Sequence, residues 1–100
     1  MSQYISTEDG EQDQCASNVG WSDFCDWVNT LLIDDYPSLH HLCQFGYEND
    51  PEVCADELTG AIEHQTPEDD TVRTTAEGLL SWVKAHAKAE IIIVGDGITE

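Results

Sequence analysis

The chain has almost no positive charge. Its 100 residues include 3 Lys and Arg against 21 Asp and Glu, which gives a formal net charge of −18. Proteins that bind nucleic acid neutralise phosphates with clustered cations, and three cations are too few for such a surface. The same sign argument excludes binding to an anionic membrane. The charge leaves three interpretations: a protein partner with a basic surface, a cation-rich environment, or simple solubility.

Sequence signals of chemistry and targeting are also missing. There is no phosphate-binding glycine motif, no Cys-x-x-Cys pair and no EF-hand pattern. The longest apolar run, residues 91–94, is too short to span a bilayer. The first nine residues have neither the basic nor the apolar region of a signal peptide. We therefore expect a cytoplasmic protein that is not an enzyme and has no cofactor and no metal.

Four cysteines, Cys15, Cys25, Cys43 and Cys54, are present. Two disulfides would suit a secreted protein, but a chain without a signal peptide is expected to keep free thiols. His40 and Cys43 share a helix face and would supply two of the four ligands of a zinc site. We favour the interpretation that Cys25, Cys43 and Cys54 fill the core, because Cys is among the most buried residue types.

The densest apolar segment predicts the first helix. Apolar residues recur at three- and four-residue steps from Trp21 to Leu32, the period of one helical face. Ser22 is a suitable N-cap, and Pro37 forces the residue before it out of the helical region. The pattern predicts a helix that begins near Ser22 and stops by Asp35.

Three further helices are predicted from local start and stop signals. The second covers about residues 37–45, with a proline at its first position and Gly46 at the left-handed position after its end. The third begins after the cap Asp50 at Pro51 and ends near residue 64. The fourth begins between residues 67 and 71 and runs to about residue 87. Each carries an apolar stripe of helical period.

These elements predict a mainly α fold, a small four-helix bundle-like domain. Residues 1–18 are polar and acidic and are expected to form a flexible N-terminal arm, with one helical domain over residues 19–100. The run Ile91, Ile92, Ile93 and Val94, closed by Gly95-Asp96-Gly97, predicts a short C-terminal β-strand or extended segment. Its alternatives are a ladder with Tyr4 and Ile5, a ladder with a second copy in a homodimer, or an extended tail without a ladder.

The acids concentrate between residues 46 and 70, where there is no Lys or Arg, whereas all three cations lie on the predicted fourth helix. We expect a negatively charged helical face there, and an exposed Trp82 that anchors a partner. The candidate partner-binding residues are Glu48, Asp50, Glu52, Asp56, Glu57, Glu63, Glu68, Asp69, Asp70 and Trp82. The first hypothesis is a non-enzymatic adaptor or regulatory module that binds a basic protein. The alternative is a nucleic-acid-mimicking inhibitor of a DNA- or RNA-binding protein.

Overall fold

Four helices and a four-stranded antiparallel sheet form the computed structural model, which describes residues 2–96. The elements in chain order are β1 (Ser2–Thr7), β2 (Gln12–Ser17), α1 (Asn18–Asn29), α2 (Pro37–Phe45), β3 (Tyr47–Glu48), α3 (Pro51–His64), α4 (Asp70–Ala85) and β4 (Ile92–Asp96). The strand order is β2-β1-β4-β3. The fold is therefore α+β, and the predicted mainly α bundle is wrong.

The N-terminal segment is a β-hairpin and not a flexible acidic arm. β1 pairs with β2, and the turn between them is closed by the Thr7 amide, which donates to the Glu11 carbonyl at 2.9 Å. Gly10 supplies the positive φ, +90°, that this turn requires. The hairpin is ordered because Ile5 and Thr7 point into the core, where both are buried. The polar composition that suggested disorder belongs to the turn and to the outer strand.

β4 lies inside the sheet. It pairs with β1, where Val94 faces Ile5, and with β3, where Ile93 faces Tyr47. Ile92 and Val94 are buried, whereas Ile93 points away from the helices and is 42% exposed. The apolar run is thus a strand with ladder partners in the same chain, of which Tyr4 and Ile5 are two. Gly97, the last residue of the predicted closing turn, lies outside the described residues.

The predicted bounds of α2 and α3 are confirmed, and α4 starts within its predicted range but ends slightly early. α2 covers Pro37–Phe45 and ends at Gly46, whose φ is +80°. α3 covers Pro51–His64, and the Asp50 carboxylate accepts a hydrogen bond from the Val53 amide at 3.2 Å. α4 begins after the cap Asp69 and ends two residues before the predicted end, at Ala85. These ends depend on caps, prolines and glycines within a few residues, so the local sequence determines them.

α1 does not begin near Ser22. It begins at Asn18, because the Ser17 hydroxyl accepts a hydrogen bond from the Gly20 amide at 3.0 Å and caps the helix directly after β2. The first turn contributes little to the buried apolar stripe of this helix, since Val19 is 71% exposed. The helix also ends earlier than predicted, at Asn29, and Leu31 is buried from the following loop.

The core lies between the helices and the inner face of the sheet. Its largest fully buried side chains are Phe24, Ile5, Leu39, Leu42, Leu58, Leu79, Ile92, Val28, Val83 and Cys54. α3 packs on α2 and α4, and α1 packs on α4 and the hairpin. Across residues 2–96 no helix has the length and apolarity needed to cross a membrane.

Candidate functional site

Three of the predicted partner-binding acids lie along the surface of α3. Glu52, Asp56 and Glu63 are exposed, and we call them the α3 acidic face. The ion pairs within the described residues join Arg73 to Asp70 and His86 to Glu11, so no cation of that range neutralises the α3 acidic face. Such a surface attracts a basic partner and costs stability through self-repulsion.

Two other predicted acids hold the start of α2. The Glu57 carboxylate accepts hydrogen bonds from the amides of Ser38, at 2.8 Å, and Leu39, at 3.0 Å. Glu48 accepts a hydrogen bond from the Ser38 hydroxyl. The N-cap position of α2 is Tyr36, whose side chain makes no capping bond, so α3 and β3 supply the acceptors that the helix lacks. Glu48 and Glu57 therefore have a structural role, which is to accept hydrogen bonds at the start of α2.

The burial of Glu57 raises the pKa of its carboxyl above the ordinary value of 4.5, and the hydrogen bonds from Leu39 and Ser38 oppose that rise. Desolvation disfavours the charged form, whereas amide donors favour it, and here desolvation is the larger effect. The side chain is only partly buried, so solvent weakens both effects. Because its carboxylate accepts hydrogen bonds from Ser38 and Leu39, Glu57 is less available to a partner than the exposed acids of the α3 acidic face.

The remaining acids of this stretch gather at helix starts. Asp50 caps α3, and the Asp69 carboxylate accepts from the amides of Thr71 and Val72 at 2.8 and 3.2 Å. Asp70 pairs with Arg73 one turn later, and Glu68 is exposed beside them. Carboxylates are stabilised at the positive end of a helix dipole. Three of the nine acids thus form the α3 acidic face, and the other six lie at or beside helix starts.

Trp82 lies apart from those acids, on the side of α4 that faces β2. Its indole nitrogen donates to the Asp13 carboxylate at 3.0 Å, and its ring stacks on His86 with centroids 3.9 Å apart and planes 21° apart. His86 contacts the Trp82 carbonyl at 2.8 Å and lies 3.6 Å from Glu11. Trp82 therefore joins α4 to the hairpin. No local signal predicts this contact, because Trp82 and Asp13 are 69 residues apart.

An open groove runs between β2 and α4 beside this contact. It has a volume of about 490 Å³, and we call it the β2–α4 groove. Its lining residues are Ile5, Asp13, Gln14, Cys15, Gly78, Ser81, Trp82, Ala85 and His86. Its only thiol is that of Cys15, whose pKa burial raises to about 11. A thiol of that pKa is protonated near neutral pH and is a poor nucleophile.

The other thiols lie at the helix layer. The interaction between the Cys25 and Cys43 side chains lowers the pKa of the Cys25 thiol against the opposing effect of burial and raises that of Cys43. Burial raises the pKa of the Cys54 thiol to about 12. All four cysteines are free. In the part of the chain that the structure describes, no group of three His, Cys, Asp or Glu side chains is arranged to hold a metal ion.

Comparison with known proteins gives no match: no protein family, no curated protein and no solved structure matches the chain. The class that the structure itself defines is an α+β domain with an acidic face on α3 and a groove between β2 and α4.

Proposed function

We propose that this protein is a non-enzymatic acidic interaction module, an adaptor or regulator that binds a basic protein through the α3 acidic face. The observation that supports this most is the exposure of Glu52, Asp56 and Glu63 without a cation against them among residues 2–96. Exposed charge of one sign steers an oppositely charged partner and suppresses partners of like charge. A cytoplasmic location and the absence of a cofactor belong to the same proposal.

The proposal does not include a homodimer through residues 91–94. β4 has β1 on one side and β3 on the other, so much of its backbone is already paired within the chain. It also does not include mimicry of a phosphate backbone. A mimic requires a regular row of free carboxylates, and Glu48 and Glu57 interrupt such a row because they bind the start of α2.

The test compares two triple variants with the same net charge. Glu52→Lys, Asp56→Lys and Glu63→Lys together reverse the α3 acidic face. The control reverses three exposed acids elsewhere, Asp26→Lys, Asp34→Lys and Glu77→Lys. The probe is a peptide of about eight lysines, titrated calorimetrically at about 50 mM and about 200 mM salt.

We expect the α3 variant to bind the peptide at least roughly tenfold more weakly than the control variant at the lower salt, because nearby charges contribute most within a Debye length. Higher salt is expected to reduce this difference. Equal weakening in both variants would show that the peptide senses only total charge, and the α3 acidic face would then be a solvated surface without a binding role.

A further inference from the structure

Two of the four free cysteines meet where α1 packs on α2. Cys25 lies on α1 and Cys43 lies on α2, and their side chains interact at hydrogen-bonding range. Both are partly buried and pack against the core. A disulfide has an S–S length of about 2.05 Å, so two thiols in such contact have only a short distance to cover before they can bond.

The other two cysteines are placed differently. The Cys15 thiol, on β2, donates to the Gln3 carbonyl at 3.5 Å, and Cys54 is fully buried. Cys15 interacts with Cys25 through charge alone. The same is true of Cys54 with respect to Cys43. Because charge acts over a longer distance than a hydrogen bond does, the pair in direct contact is Cys25 with Cys43.

Cys25 has the most reactive thiol of the four. The thiolate is the nucleophile of cysteine chemistry, and the interaction with Cys43 lowers the pKa of Cys25 against the opposing effects of burial and of the neighbouring Asp26. The pKa of each of the other three thiols is raised. Cys25 is also only half-buried, so a small reagent can reach its sulfur. A low pKa, solvent access and a resolving cysteine nearby are the features of redox-sensitive cysteines.

We propose that Cys25 is a modification site for peroxides, and that Cys43 resolves the oxidised Cys25 into a reversible disulfide. In the first step the Cys25 thiolate attacks one oxygen of hydrogen peroxide, and the O–O bond breaks. Hydroxide leaves and takes up a proton to become water, and Cys25 becomes a sulfenic acid. The sulfur is oxidised by two electrons, and the peroxide is reduced by two.

In the second step the Cys43 sulfur attacks the Cys25 sulfur. The S–O bond breaks, the S–S bond forms, and the hydroxyl group leaves as water with the Cys43 thiol proton. Oxidation of Cys25 also removes the thiolate whose interaction raises the pKa of Cys43, so the resolving thiol ionises more readily at this stage. Two thiols and one hydrogen peroxide thus become one disulfide and two waters. An external thiol such as dithiothreitol reverses the bond by thiol–disulfide exchange.

The disulfide ties α1 to α2 across the connection in which Leu32 and Ile33 are exposed. Neither cysteine belongs to the α3 acidic face, and no partner protein takes part in the reaction. The modification therefore goes beyond the proposed function without depending on it, and each can fail while the other stands.

The test treats the reduced natural protein with a small molar excess of hydrogen peroxide and follows its intact mass. An aspartate lies between each two successive cysteines, so a protease that cleaves at aspartate places the four cysteines on different peptides. We expect a loss of two hydrogens, a linked pair of peptides that contain Cys25 and Cys43, and free thiols at Cys15 and Cys54. Dithiothreitol is expected to restore the reduced mass.

Serine variants assign the two roles, and circular dichroism checks that each variant folds. In Cys43→Ser we expect the Cys25 sulfenic acid to persist and to react with dimedone, a reagent for that group. In Cys25→Ser we expect oxidation by peroxide to be at least roughly tenfold slower. Cys15→Ser is the matched control, because Cys15 is half-buried like Cys25 but has a pKa that burial raises to about 11. It is expected to form the disulfide at the natural rate.

A link between Cys25 and Cys43 in the natural protein supports the proposal even where a serine variant does not fold, because that measurement uses the unaltered chain. An unchanged mass, a covalent dimer as the main product, or a main link through Cys15 or Cys54 would overturn it. An equal rate of oxidation in a folded Cys25→Ser variant would overturn the assignment of Cys25 as the modified residue.

Discussion

At the scale of single residues, the side chains with the clearest structural effect are acids that act as helix caps. Glu57 accepts two amide hydrogen bonds at the start of α2, although it belongs to α3. The residue that precedes α2, Tyr36, offers no side-chain acceptor of its own. A carboxylate of another helix therefore accepts the capping hydrogen bonds that a Ser or Asp side chain commonly accepts at a helix start.

Glu57→Ala is expected to destabilise the protein by about 1–2 kcal/mol, because it leaves two amides of α2 without an acceptor. Glu57→Gln keeps an acceptor oxygen in the same place and is expected to change stability by less than about 0.5 kcal/mol. Urea unfolding at neutral pH measures both. A loss in Glu57→Gln as large as in Glu57→Ala would show that the charge, and not the acceptor, matters.

The raised pKa of Glu57 makes the stability difference between the natural protein and Glu57→Gln depend on pH. Because the folded state holds the proton more tightly than the unfolded state, the contribution of Glu57 to stability falls as pH rises from its ordinary pKa of 4.5 through the folded value. Glu57→Gln has no such proton. The stability of this variant relative to the natural protein is therefore expected to increase as pH rises through that window.

At the scale of elements, Gly46 connects the end of α2 to the sheet. It adopts φ +80°, its amide donates to the Leu42 carbonyl at 2.8 Å, and its carbonyl accepts from the Val94 amide at 2.7 Å. A Cβ atom at this position would lie 3.1 Å from the Val94 carbonyl oxygen. One glycine thus ends the helix and directs the chain into β3 and toward β4.

Gly46→Ala is expected to destabilise the protein by about 2 kcal/mol or more, since the left-handed conformation alone costs an L-residue about 1–2 kcal/mol and the contact is with backbone that cannot move away freely. Gly10→Ala is the matched control, because it has a φ of +90° but no atom within 4 Å of the added Cβ. We expect it to cost about 1 kcal/mol, the penalty of positive φ without the backbone contact. Equal losses in urea unfolding would show that φ alone accounts for the effect.

The elements also differ in how far the local sequence determines them. Asp50 and Pro51 define the start of α3 within two residues, and Pro37 and Gly46 bound α2. The predicted start of α1 is wrong because its cap, Ser17, also ends a strand, and the apolar stripe begins only after the first turn. A periodic pattern detects a buried face, and the first turn of α1 contributes little to one.

At the scale of the whole molecule, net charge acts on stability. The formal charge of −18 is carried by only 100 residues, and few of the acids have a cationic partner in the described structure. Folding brings these charges closer together, so repulsion is stronger in the compact state and is screened by salt. The exposed carboxylates of the α3 acidic face add to this repulsion.

The melting temperature is expected to rise by about 5 °C or more between low salt and about 1 M NaCl, the change that ~1 kcal/mol produces in a domain of this size. The variant with Glu52→Lys, Asp56→Lys and Glu63→Lys is expected to show a smaller rise, because it has less charge to screen. Scanning calorimetry or circular dichroism measures both. A rise of the same size in the variant would attribute the effect to general salting-out rather than to repulsion.

Of the candidate surfaces, one can be located from neighbouring residues in the sequence and the other depends on contacts between distant residues. Sequence reasoning located the acids of α3, since their number and the lack of cations are visible in the chain. It missed the β2–α4 groove and the partners of Trp82, because that surface forms only when residues about 69 positions apart meet. It also assigned Glu48 and Glu57 to a partner surface, although both turn toward α2.

The sequence by itself determined the acidity of this protein, the ends of α2 and α3 and the start of α4, because caps, prolines, glycines and charge act within a few residues. Only the tertiary structure decided that residues 2–17 form a hairpin and that β4 enters the sheet between β1 and β3. A strand is stabilised by a ladder partner, and for β1 that partner lies at the other end of the chain. No local pattern indicates such a pairing, because the pairing stabilises the chain only after the two distant segments have come together.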